Sequence, residues 1–66
     1  MDGDRLHQTK YRRPKGEWAY RLYVVLQDGE YAVWREEVDS RHRPINFRHV
    51  ATYPVLQDAI DCAEVN

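Results

Sequence analysis

The chain has 66 residues, of which 42% are hydrophobic and 32% charged, and its formal net charge is −1. This length predicts one domain with a thin core, burying only about 60% of the surface of its unfolded chain, and the composition is globular rather than disordered. The single cysteine, Cys62, excludes an internal disulfide and a cysteine-rich zinc site.

Residues 1–16 predict a basic, flexible N-terminal arm that precedes a single domain, residues 17–66. The arm holds five Lys and Arg against two acids, and Pro14 and Gly16 interrupt its end. Neither a signal peptide nor a membrane span is expected, because the longest apolar run, residues 23–26, is far shorter than the ~20 residues of a membrane helix. With one thiol, we expect a cytoplasmic protein.

Residues 17–27 and 30–38 predict two strands that are joined at Asp28-Gly29. Both segments are rich in β-branched and aromatic residues, and Asp-Gly favours a type I′ turn, in which both central residues have positive φ. A two-residue turn also fixes the register, so that Tyr23 faces Trp34 and Arg21 faces Glu36.

Alternation along these strands separates two faces. The larger, more aliphatic face is the predicted core, and it contains Trp18, Tyr20, Leu22, Val24, Leu26, Tyr31 and Val33. The other face carries the Tyr23 and Trp34 rings beside an Arg21–Glu36 ion pair. We expect this second face to be open to a partner, to be half-exposed without a role, or to be covered by the arm.

Residues 45–53 predict a third strand, with Ile45, Phe47 and Ala51 on one face, and residues 55–65 predict a helix that begins after Pro54. Four apolar residues recur at helical spacing: Leu56, Ala59, Ile60 and Ala63. The predicted fold is α+β, a three-stranded antiparallel sheet in the order β-β-β-α with the C-terminal amphipathic helix packed on one face.

The residue patterns predict no catalytic, cofactor or metal site. His7, His42 and His49 lack the spacing of metal ligands, and Cys62 lies near the apolar stripe of the helix, as a structural thiol does. Neither a phosphate-binding loop nor a nucleophile motif is present. We therefore expect a protein that is not an enzyme.

Two surfaces are candidates for partner binding. The first is the second sheet face, with Tyr23, Trp34, Arg21 and Glu36, since Tyr, Trp and Arg dominate interface hot spots. The second is acidic and comprises Asp58, Asp61 and Glu64, in a segment, residues 50–66, without Lys or Arg. The alternative for these acids is an ordinary solvated helix face.

Two functions compete. In a small nucleic-acid-binding module, the aromatic sheet face would stack on bases while Arg21, Arg41, Arg43 and the basic arm neutralise phosphates. Nucleic-acid-binding domains usually carry a positive excess, whereas this chain has a pI near 6.3. The mixed charge favours a protein-binding module, either monomer or homodimer.

In architecture, the segments YVVLQDGEYAVW and VLQDAIDCAEV resemble the small phage-encoded anti-CRISPR proteins. The resemblance covers residues 17–66 and includes no diagnostic motif, and the basic arm departs from the strongly acidic members of that group. It implies an inhibitor in the host bacterial cytoplasm that binds a CRISPR effector subunit and blocks DNA recognition, in part through acidic side chains.

Overall fold

A computed structural model describes residues 4–66. Within them the chain forms four strands and one helix: β1 (His7–Gln8), β2 (Ala19–Gln27), β3 (Glu30–Val38), β4 (Pro44–Tyr53) and α1 (Leu56–Val65). The strands form one antiparallel sheet in the order β1-β2-β3-β4. The predicted α+β fold, with an antiparallel sheet and one C-terminal helix, is confirmed, but the predicted strand number of three is wrong.

The additional strand, β1, lies in the predicted arm and pairs with the outer edge of β2. His7 and Gln8 lie opposite Val24 and Tyr23, and the contact continues to a bridge between Arg12 and Tyr20. Such pairing satisfies backbone N–H and C=O groups that the hairpin leaves unpaired on β2. The flexibility of the arm and its boundary with the domain stay predictions, and residues 1–3 lie outside the described range.

The β2–β3 hairpin has the predicted turn and register. Asp28 and Gly29 have φ angles of 53° and 79°, as a type I′ turn requires. Every predicted pair is present, from Gln27 opposite Glu30 to Arg21 opposite Glu36. Local turn chemistry therefore determines which side chains of the two strands share a face.

The core lies between α1 and one face of the sheet. Leu22, Val24 and Val33 of the sheet pack against Ala59 and Ala63 of the helix, and all five are at most 1% exposed. The two alanines allow close approach of the helix to the sheet. Half-buried side chains surround this cluster: Tyr20, Tyr31, Tyr53, Leu56 and Cys62.

Two residues expected in the core are not there. Trp18 is 55% exposed and Leu26 is 59% exposed. A ten-residue helix is about 15 Å long, whereas nine-residue β2 extends about 30 Å. The helix therefore covers only part of β2. Trp18 immediately precedes this strand and Leu26 lies near its other end, so the helix covers neither side chain.

Irregularities in β4 change which of its side chains face the helix. The β3–β4 register shifts between Val33 and Trp34 and again between Glu37 and Val38. Phe47 consequently lies opposite Glu36, on the side away from the helix, while half-buried Ala51 lies opposite Val33, on the side that faces the helix. The prediction that Ile45, Phe47 and Ala51 share one face is therefore wrong.

No helix within residues 4–66 has both the length and the apolar character needed to cross a membrane.

Substitution of Leu22 by Ala tests the location of the core. Because the Leu22 side chain is 1% exposed, we expect Leu22→Ala to lower the free energy of unfolding by about 2–5 kcal/mol. The matched control is Leu26→Ala, the same change on the same strand, which should cost less than about 1 kcal/mol. Urea unfolding measures both, and equal losses would contradict this position of the core.

Candidate functional site: the open face of the sheet

The face of the sheet opposite α1, hereafter the open face, has a buried carboxylate at its centre. Glu36 is 3% exposed, and its Oε1 atom lies 2.9 Å from Arg5 Nη1 and 3.0 Å from Arg21 Nε. A carboxylate removed from water needs charge-assisted hydrogen bonds. The two guanidinium groups supply them, and this ion cluster joins β2 and β3 to the segment before β1.

The pKa of Glu36 reflects these contacts. Burial raises the pKa of the carboxyl, but the hydrogen bonds and positive charges of Arg5 and Arg21 outweigh burial and hold the pKa below its ordinary value. Glu36 is consequently ionised at neutral pH. With two arginines and one carboxylate, the cluster has a net charge of only +1.

Aromatic rings from three strands surround one end of the open face. The Arg5 guanidinium carbon lies 3.9 Å from the centre of the Tyr23 ring, within the distance of a cation–π contact. The edge-on contact between Tyr23 and Phe47 has a centroid distance of 6.5 Å. Trp34 contacts His49 at 5.2 Å in the same manner. The face therefore has a network of ring contacts supported by an arginine.

Three of these rings, Tyr23, Trp34 and Phe47, line a concavity of about 490 Å³, hereafter the aromatic hollow. Trp34 Nε1 donates a hydrogen bond to Gln27 Oε1 at 3.3 Å, and Phe47 is 48% exposed. Seven residues line the hollow: Arg5, Tyr23, Val25, Leu26, Gln27, Trp34 and Phe47. Largely apolar walls with a few polar groups are typical of ligand and partner sites.

A second, smaller concavity lies at the other end of the open face. The Arg21 guanidinium carbon is 4.4 Å from the centre of the Tyr11 ring, and Tyr11 stacks on His42 at 4.6 Å. This loop-end hollow has a volume of about 140 Å³. Its lining residues are Tyr11, Arg13, Trp18, Ala19, Asp39, Ser40 and His42.

The sequence-predicted partner residues fall into two separate groups. Tyr23, Trp34, Arg21 and Glu36 are together on the open face. Glu36 is buried there, so any effect it has on a partner would come through Arg5 and Arg21. Sequence reasoning missed Arg5 and Phe47. The first is 31 residues from Glu36, and the second depends on the irregularity of β4.

The acidic residues of α1 form the second group, on the other side of the sheet. Glu64 Oε2 lies 2.6 Å from His7 Nε2, and Arg12 Nη2 donates to the Glu64 carbonyl oxygen at 3.0 Å. Asp58 and Asp61 are exposed. The arm thus engages one of the three acids, and the role of all three in partner binding stays a prediction.

Comparison of the chain with protein-family models, curated proteins and solved structures gave no match. Among residues 4–66, no three His, Cys, Asp or Glu side chains are grouped as metal ligands would be. The inference of function therefore depends on the geometry of the open face.

Substitution of Glu36 by Gln tests the ion cluster. Because the pKa of Glu36 is lower in the folded chain than in the unfolded chain, the ionised carboxylate stabilises the fold at every pH above the unfolded pKa of about 4.3. This stabilisation is lost as the pH falls through the folded pKa. We expect Glu36→Gln to lower the free energy of unfolding at pH 7 by roughly 1.5–3 kcal/mol. The variant should also lose less stability than the parent when the pH is lowered below about 5.

Urea unfolding at neutral and acidic pH measures both effects. The control is Glu30→Gln, the same change at an exposed position of the same strand, which should have little effect at either pH. A Glu36→Gln protein with the same stability and pH dependence as the parent would show that the cluster contributes nothing.

Proposed function

We propose that the chain is a non-enzymatic protein-binding module that docks a partner protein at the aromatic hollow. The observation that supports this function is that Tyr23, Trp34 and Phe47 converge from three strands. The ion cluster adjoins these rings through the contact of Arg5 with Tyr23. Rings already held in place lose little side-chain freedom on binding. Buried aromatic anchors are the residues that contribute most to protein interfaces.

The charge of the open face favours protein over nucleic acid at this hollow. Both Arg5 and Arg21 donate to Glu36, so their charges are partly compensated before any ligand arrives. Binding of nucleic acid depends on cations that neutralise phosphates. Protein interface cores, by contrast, are poor in net charge and rich in aromatic residues.

The sheet edges favour the open face as the docking surface. β1 has only two residues, which is too short to be a good template for strand addition. β4 has ten residues, but two register irregularities interrupt it, and Pro44 and exposed Arg48 lie along it. Bulges, prolines and charges are the features that protect sheet edges from pairing with other chains.

For the partner, we propose a subunit of a bacterial CRISPR effector, bound by this chain as a phage-type inhibitor in the host cytoplasm. The architectural resemblance to anti-CRISPR proteins supports this choice. Asp58 and Asp61 also support it, because exposed acids can meet a basic groove that otherwise holds nucleic acid.

Substitution of Trp34 by Ala tests the aromatic hollow. The immobilised protein would capture its partner from a CRISPR-bearing bacterial lysate, with and without nuclease, and mass spectrometry would identify what is retained. We expect a CRISPR effector subunit to persist after nuclease treatment. Trp34→Ala should then weaken its binding by about 2 kcal/mol or more in calorimetry.

The matched control is Trp18→Ala, the same change at the other end of the open face, which should leave affinity for the protein partner unchanged. Both variants must retain the circular dichroism spectrum of the parent. A folded Trp34→Ala protein with full affinity would remove this hollow from the binding site. Capture that disappears with nuclease would contradict direct binding to a protein.

Charge reversal on the helix tests the acidic surface separately. If Asp58 and Asp61 meet a basic groove, Asp58→Lys with Asp61→Lys should weaken effector binding about tenfold at low salt, and less as salt screens the attraction. The control is Glu17→Lys together with Glu30→Lys, the same charge change at two exposed positions outside the helix. Equal affinities of the helix variant and the parent would identify these acids as an ordinary solvated face.

A further inference from the structure

The loop-end hollow brings three rings together at a partly exposed position. Tyr11 and His42 stack with a centroid distance of 4.6 Å and an angle of 23° between their planes. Trp18 lines the same hollow and is 55% exposed. Exposed aromatic rings beside other rings are the platforms on which unpaired bases stack.

The loop that carries His42 is held in a defined conformation. His42 has a φ of 60°, in the left-handed region that residues other than glycine seldom adopt. The Asp39 carboxylate accepts hydrogen bonds from the backbone nitrogens of Arg41 at 2.8 Å and Arg43 at 2.9 Å. His42 N donates to the Asp39 carbonyl oxygen at 2.9 Å. These bonds hold the loop backbone on both sides of His42, and the imidazole ring itself is stacked on Tyr11.

The two chain segments that contribute to this hollow carry an excess of positive charge. Residues 10–18 and 39–43 contain six Lys and Arg against two acids, although the whole chain is −1. Both acids already face a cation, Glu17 with Arg35 and Asp39 with Arg43. Of the six Lys and Arg in these two segments, five form no ion pair with any residue from 4 to 66: Lys10, Arg12, Arg13, Lys15 and Arg41. This end of the open face therefore differs from the aromatic hollow, whose arginines share a carboxylate.

We propose that the loop-end hollow is a nucleotide-binding site, in which Trp18 stacks on the base and Arg13 contacts the phosphate. The ligand is a nucleotide, either free or as one unit of a single strand. A volume of about 140 Å³ is below the roughly 300–1,000 Å³ of pockets for whole drug-sized ligands, so the hollow admits one ring while the phosphate lies at its rim. The carboxylates of an acidic peptide would satisfy the cations, but Asp and Glu side chains have no ring to stack on Trp18.

Fluorescence of Trp18 tests this site directly. The chain has two tryptophans, so Trp34→Phe leaves Trp18 as the only one. This variant would be titrated at low salt with adenosine monophosphate, a short single-stranded oligodeoxyadenylate and inorganic phosphate. We expect saturable quenching by the oligonucleotide, with an affinity that falls as salt rises.

Variants identify the residues involved, with anisotropy of a labelled oligonucleotide as the measurement. Trp18→Ala should weaken binding about tenfold or more, as loss of one stacked base does. Arg13→Ala should weaken binding and lower the slope of log affinity against log salt by about 0.7. The control is Arg48→Ala, the same change on β4, which should bind nearly as the parent does. Trp34→Ala should also bind normally, which separates this site from the aromatic hollow.

Each outcome decides a specific point. Quenching by both nucleotide probes assigns a free nucleotide as a ligand, and quenching by the oligonucleotide alone assigns a single strand. An equal response to inorganic phosphate would overturn the role of stacking and leave an anion site. Absence of quenching at low salt, or a Trp18→Ala protein that binds as tightly as the parent, would overturn the site.

Discussion

The open face depends on a single buried carboxylate. Glu36 is 3% exposed, and an ionised group in that position is tolerated only with opposite charges beside it. It therefore holds Arg21 of β2 and Arg5 of the segment before β1 on the open face. Each guanidinium also lies over a tyrosine ring, Arg5 over Tyr23 and Arg21 over Tyr11. One carboxylate thus connects three parts of the chain and links the two hollows of the face.

The ion cluster is important for the stability of the fold because the apolar core is small. The helix covers only part of the sheet, and its contribution to the fully buried core is two alanines, Ala59 and Ala63. A domain of this size has only a few kcal/mol of net stability. The polar and aromatic contacts of the open face therefore contribute to folding as well as to any binding surface. Substitution of an exposed ring such as Trp18 is therefore a better test of binding than substitution of Glu36, because loss of Glu36 would affect both folding and binding.

Local chemistry made part of this structure predictable. The Asp28-Gly29 turn determined the hairpin register and therefore the grouping of Tyr23, Trp34, Arg21 and Glu36. Strand β1 was not predictable, because it pairs through backbone groups that have no side-chain pattern. The side on which Phe47 lies depends on irregularities that alternation cannot reveal. The burial of Glu36 depends on Arg5, which is 31 residues away in the chain, and no local pattern connects the two.

Both ends of the open face combine aromatic rings with arginine, but the arginines are paired with a carboxylate at one end and Arg13 is unpaired at the other. At the aromatic hollow, the arginines are bound to Glu36, so the rings form a surface of low net charge. At the loop-end hollow, Arg13 has no ion pair with any residue from 4 to 66. Protein surfaces match the first state and phosphates match the second.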